Sequence, residues 1–314
     1  MKHIPSTIGS VPLAEIAGRG RECLAIIGSC LAEVIATADG ARARDDPEAI
    51  HDLRVAIRRL RAAMVILRKD APSDGLTALG AGLRDLQQEL GAAREWDVLI
   101  DETIGAMPDK MRAIRGMHKL IGIAEAQRAE GHRRARAALR SRKYAGFLLR
   151  LKAAIGDSRG GDVTRAIGGA DAGTDAASRA FATRAAEVLR DRHRKVRALG
   201  KVISALDAQE LHELRIRIKK LRYAAEFFRE IWPGRRAELY LAALSRLQQV
   251  SGTAHDASVA IDMAGRLEAA GGHGISQAAG AVRDWAAKCL ARDRKRLGRC
   301  WRKFDERKRF WKRS

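Results

Sequence analysis

The segment HDLRVAIRRLRAAMVILR at 51–68 returns, lightly altered, as HELRIRIKKLRYAAEFFR at 212–229. The shift of 161 residues that carries His51 to His212 also carries Arg54 to Arg215, Ile57 to Ile218 and Arg58 to Lys219, and then Leu60 to Leu221 and Arg61 to Arg222. The same shift lays LQQELGAAREWDVLID, 86–101, on LQQVSGTAHDASVAID, 247–262. Two separate segments that agree at one shift point to a unit written twice, so any fold must accommodate two related halves. The halves run over 11–155 and 176–311 of the 1–314 chain. They are joined by the Gly- and Asp-rich linker GDSRGGDVTRAIGGADAGTD at 156–175.

Each half reads as helix. Alternating β-branched runs are absent, and the six prolines fall where helices should start or stop. The spacing predicts helices over 11–38, 47–70, 74–105 and 109–155, then 176–203, 207–231, 234–270 and 275–311. Breaks are expected near Gly91 and Gly252. Asp46 is a good N-cap with Pro47 in the first helical position, and Asp207 with Glu210 three residues on has capping-box spacing. The expected class is all-α: two pseudo-symmetric four-helix bundles.

The repeated helices carry two stripes. Leu53, Ile57, Leu60, Met64 and Leu67 recur at helical spacing, as do Leu214, Ile218, Leu221, Ala225 and Phe228. Beside them, about 120° around the helix at 100° per residue, lie His51, Arg54, Arg58 and Arg61, and in the second copy His212, Arg215, Lys219 and Arg222. A row of like charges weakens a helix. Keeping it in both copies points to a bound anion. The alternative is a solvated face paired with carboxylates from neighbouring helices. If the row serves only an anion, removing its charges should leave the fold intact. Two further rows, Arg133, Arg136, Arg140 and Lys143, and Arg292, Lys295, Arg299 and Arg302, repeat the spacing. These are candidate additional contacts or plain solvated faces.

The charge balance agrees with an anionic partner. Lys and Arg number 60 against 38 Asp and Glu, a formal net charge of +22. Such an excess favours nucleic acid, an anionic surface or a polyphosphate. Aromatics at 4% argue against a single-strand binder that stacks bases on rings. The four cysteines form no CxxC pair, which reads as reduced thiols in a cytosolic protein. The apolar run LAIIGSCLAEVIATA at 24–38 is interrupted by Glu33 and is too short to span a bilayer. No carboxylate cluster or HExxH accompanies the histidines, and arginines at i+3 and i+7 repel a cation, so neither metal nor cofactor is expected. No Walker-type loop is present, and nothing in the sequence supports catalysis.

HDLRVAIRRLRA, the Gly91, Arg94, Glu95, Asp97, Val98 segment and LHELRIRIKKLRYAAEFF together resemble the CHAD family, the conserved histidine α-helical domain. The resemblance spans almost the whole chain. It implies two four-helix bundles and a basic surface or central pore between them that binds inorganic polyphosphate. Carried over, the binding positions are His51, Arg54, Arg58, Arg61, His212, Arg215, Lys219 and Arg222. Glu95 stands where the family usually has Asp, and the second copy reads His255, Asp256, Ala257, Ser258. That segment is taken as structural, an N-cap and buried ion pair. Many members carry a triphosphate-tunnel (CYTH) module. Here the first basic helix begins near residue 47, which leaves no room for one ahead of it. The expected function is non-enzymatic polyphosphate binding, in the cytoplasm and on polyphosphate granules. A nucleic-acid-binding protein and, behind it, a phosphate-ester or anhydride hydrolase are the alternatives. Weak non-specific nucleic-acid binding and no membrane partner are expected.

Overall fold

The computed structural model describes residues 21–43, 47–67, 74–159 and 175–311, and among these every regular element is helical. Helix α1 spans Arg21–Ala43, α2 Pro47–Leu67 and α3 Asp74–Glu89. Helix α4, Ala92–Asp97, runs into a π-helical stretch at Val98–Ile104, and α5 (Asp109–Arg112), α6 (Met117–Arg140) and α7 (Arg142–Arg159) follow. Next come α8 (Asp175–Gly200), α9 (Ala208–Phe228), α10 (Arg235–Gly271) and α11 (Ser276–Asp305), with 3-10 turns at Arg229–Ile231 and Gly272–Ile275. The expected starts before residue 21 and most of the 156–175 linker lie outside the described residues.

The described residues divide into two compact units. One takes those up to Gly91 with those from His132 to Ala185; the other takes Ala92–Gly131 and those from Ala186 onward. Residues 92–131, which the repeat assigns to the first half, therefore pack in the second unit.

In the first unit α2 packs against α1 and α3, and α1 meets α7. The apolar stripe of α2 drives this: Leu53, Ile57 and Leu60 are fully buried and Met64 nearly so. Each such side chain contributes about 1.5–3 kcal/mol. The Leu67 side chain lies outside the described residues. In the second unit the matching stripe of α9 is buried throughout, from Leu214 to Phe228. Helix α9 packs on α10, and α10 folds back on α11. Its start is capped as the spacing predicts. Asp207 Oδ1 accepts the Glu210 N–H at 2.8 Å and Glu210 Oε2 accepts the Asp207 N–H at 2.9 Å. The corresponding Asp46 lies outside the described residues.

The aligned glycines behave differently. The chain breaks at Leu90–Gly91, but α10 runs unbroken through Gly252, against expectation. Gly91 is where the chain leaves the first unit, whereas all of α10 stays within the second. A Cβ on Gly91 would lie 3.0 Å from the Gln88 carbonyl oxygen, while one on Gly252 would meet open space.

The expected helix over 109–155 is cut twice. At Gly116 φ is +86°, and a Cβ there would stand 2.5 Å from the Gly274 oxygen, so glycine alone fits the turn. At Ser141 the hydroxyl accepts the Tyr144 N–H at 3.3 Å and starts α7 afresh. The last helix ends at Asp305 rather than 311. Beyond it Phe310 and Trp311 turn inward and pack edge-on against Tyr240, with ring centroids 5.5 and 5.2 Å away. Burial of two large rings outweighs one more turn of helix.

Candidate anion-binding faces

On α2 the apolar stripe faces the core, which leaves the flanking row His51, Arg54, Arg58 and Arg61 partly exposed. The four are not equivalent. Arg54 Nη1 donates to the carbonyl oxygens of Leu90 and Gly91 at 2.7 and 3.1 Å. It thereby satisfies two carbonyls just past the C-terminal end of α3, where the backbone carbonyls of a helix end lack partners within the helix. Arg61 donates to Gln87 Oε1, again on α3. Burial and then the charge of Arg84 hold the Arg61 guanidinium below its ordinary pKa. Arg58 differs: among the described residues it makes no side-chain hydrogen bond of the kind that Arg54 makes through Nη1. Arg59, one step round the helix, pairs with Glu33 of α1 at 3.6 Å. Arg54 thus carries a contact within the fold that the expectation of a freely removable row did not include.

On α9 the row is His212, Arg215, Lys219 and Arg222, with His212 exposed and the rest partly so. Arg222 meets Glu226, one turn along the same helix, at 3.5 Å, so its carboxylate partner comes from α9 itself and not from a neighbouring helix. The other end is crossed by α10. His255 Nδ1 lies 3.4 Å from His212 Nδ1, and the ring centroids are 4.7 Å apart. Burial, then the positive charges of Arg215, His212 and Lys219, pull His255 down to about 4. Burial raises the neighbouring Asp256 carboxyl, which Arg215 opposes. Glu102 raises it too, and Arg94 and Lys219 pull it down. Arg94 itself donates to Glu102 at 2.7 Å.

Sequence reasoning missed His255 and Arg84. The signal for His255 was present, since it falls in the second repeated segment, opposite Arg94. Reading that segment as structural suits Asp97, which is buried and bonded to Arg128 Nε at 2.9 Å. Asp97 makes no side-chain cap, however. His255 belongs to the basic face instead.

The further rows are less coherent. Arg133, Arg136 and Arg140 lie on α6, but Lys143 lies beyond the Ser141 break on α7 and bonds Asp85 at 3.3 Å. Arg292, Lys295, Arg299 and Arg302 lie on the exposed side of α11, whose other side buries Leu297, Trp301 and Phe304. Arg292 leans on the buried Asp293 at 3.4 Å. Among the described residues no group of three or more His, Cys, Asp or Glu could hold a metal ion. No helix among them is long and apolar enough to cross a membrane.

Paired basic rows beside buried apolar stripes, on helices of an all-helical chain, define a class of helical protein with cationic faces. The CHAD domain profile matches residues 25–265, and the chain belongs to the CHAD domain family. A search of the curated proteins finds no match. Among solved structures, the CHAD domain from the plant Ricinus communis is similar, with a TM-score of 0.66 and 26% identity over 98% of this chain and 99% of that one. PptA from Streptomyces chartreusis is similar in fold, with a TM-score of 0.64 and 16% identity over 92% of this chain and 98% of the other.

Proposed function

We propose that this CHAD protein binds inorganic polyphosphate and does not turn it over. The observation that carries the reading is the repeated row itself. His51, Arg54, Arg58 and Arg61 on α2 and His212, Arg215, Lys219 and Arg222 on α9 stand beside buried stripes and reach solvent. Membership of the family, whose sequence resemblance implies polyphosphate binding, supports it. A linear polyphosphate presents about one negative charge per internal unit. A helix face with cations three and four residues apart matches such a ligand better than a single phosphate. Arginine offers forked donors to phosphate oxygens, at about 1.5–3 kcal/mol per charge-assisted bond. In the cell the protein would sit on cytoplasmic polyphosphate and its granules. It would follow polyphosphate levels rather than set them.

The test uses the full chain with long-chain inorganic polyphosphate, with and without Mg²⁺, following both binding and phosphate release. Binding without release is the expected result. Phosphate release above the protein-free control would make it a hydrolase. Displacement of polyphosphate by duplex DNA or RNA at equal charge concentration would make it a nucleic-acid binder.

A further inference from the structure

The pairing of two histidines on different helices is the observation that the stripe alone does not explain. Helix α9 presents His212, Arg215 and Lys219, and α10 presents His255 and Asp256. Arg94 of α4 and Glu102 of the π-helical stretch, bonded to each other, are near enough to act on the Asp256 carboxyl. His212 is exposed and His255 half-buried, so the pair can be reached from solvent.

We propose that His255, paired with His212, is a further phosphate contact of the second unit, and that the pair takes up one proton as a phosphate oxyanion binds. The inference rests on the polyphosphate reading and adds a residue and a pH dependence to it.

The geometry limits the protonation states. Two Nδ1 atoms 3.4 Å apart can share one hydrogen, in the tautomers where one ring donates and the other accepts. One added proton goes to the free Nε2 of the donor ring and leaves that bond intact. The new Nε2–H is a charged donor for a phosphate oxygen. A second added proton would set two N–H groups against each other beside Arg215 and Lys219. Uptake therefore stops at one.

The direction follows from the surroundings. In the free protein burial and the adjoining cations hold His255 down to about 4, so its own ring carries no added proton at pH 6 to 7.5. A bound polyanion reverses the local field and raises the pair's affinity for a proton. Because the bound form holds the proton more tightly, lowering the pH favours binding. If bound His255 regains the ordinary histidine value of about 6.5, affinity rises about tenfold between pH 7.5 and 5.5.

The experiment is titration calorimetry of the full chain with long-chain inorganic polyphosphate at about pH 6, in two buffers of different ionisation enthalpy. The expected result is an uptake of about half a proton to one proton per chain at saturation. His255→Gln should still bind, without that uptake and with a flattened pH profile. His212→Gln, at an exposed position, should flatten the profile as well, and serves if His255→Gln loses its helical signal. Asp256→Asn should keep the uptake, which separates the histidine pair from the nearby carboxyl. Binding with no proton uptake, or uptake that survives both histidine substitutions, overturns this inference and leaves the polyphosphate reading standing. No binding of polyphosphate at either end of the pH range overturns the polyphosphate reading itself.

Discussion

Replacing Arg54 by Ala should destabilise the protein, whereas replacing Arg58, one turn further along the same row, should not. Arg54 Nη1 satisfies two carbonyls at the end of α3, at 2.7 and 3.1 Å. Hydrogen bonds that involve a charged group contribute about 1.5–3 kcal/mol each. Here both bonds come from one nitrogen, the second is the longer, and Arg54 is only half-buried, so water would restore part of the loss. The expected cost is about 2 kcal/mol. For a unit of this size that is a fall in Tm of about 4–8 °C. Arg58→Ala removes a cation that makes no such bond to a neighbouring helix end among the described residues. It should stay within about 0.5 kcal/mol of the parent, and relief of repulsion along the row could raise stability slightly. Arg54→Lys keeps the charge and loses the planar fork, and should fall between the two. The assay is urea and thermal unfolding followed by helical circular dichroism, with all three variants measured beside the parent. If Arg54→Ala and Arg58→Ala unfold at the same midpoint, the capping role is wrong.

Single substitutions at the aligned positions Arg58→Ala and Lys219→Ala should each weaken polyphosphate binding by about ten- to a hundredfold, the loss of one charge-assisted contact; an unchanged Kd for both would remove the rows from the site. Binding should weaken steeply with salt, with a log–log slope of about −5 for seven or eight cations at the single-strand value of about −0.7 each. A slope shallower than about −2 would favour a small phosphorylated ligand instead. Stability should fall in acid through His193, which is buried, bonded to Tyr240 at 2.9 Å and held down to about 4 by burial and then by Arg309 and Arg197. The unfolded chain takes the proton near 6.5 and the folded one only near 4, so stability is full above 6.5 and declines between the two values by about 3 kcal/mol. Denaturant midpoints measured across that range should flatten in His193→Gln, and an unchanged profile would contradict the assignment.

Much of the local structure was legible beforehand because it depends on neighbours along the chain. Five apolar residues at helical spacing must share a face, and Leu214 to Phe228 all went into the core. An Asp with a Glu three residues on can close its own capping box, and Asp207 with Glu210 does so. The basic row could be placed beside that stripe by angle alone. The glycines show where such reasoning ends. Gly91 and Gly252 occupy aligned positions in nearly matching segments, and only the first breaks its helix. The difference lies in what the following residues pack against, since 92–131 joins the second unit. The turn at Gly116 depends on Gly274, a neighbour far along the chain. The C-terminal residues continued a helical pattern, but burial of Phe310 and Trp311 against Tyr240 ended it.

The amino-acid sequence by itself determined the helical class, the buried faces, the cationic rows and the family, since periodicity and charge are properties of a single helix. Tertiary structure alone decided what each cation does. Arg54 and Arg58 differ by one helical turn, and no pattern along α2 says that α3 ends beneath Arg54. His212 and His255 lie 43 residues apart, and their Nδ1 atoms meet at 3.4 Å only because α10 crosses α9 at that level. The register between two helices is set by how their buried side chains interlock, and a shift of one turn would leave each helix's own pattern unchanged while separating the two rings.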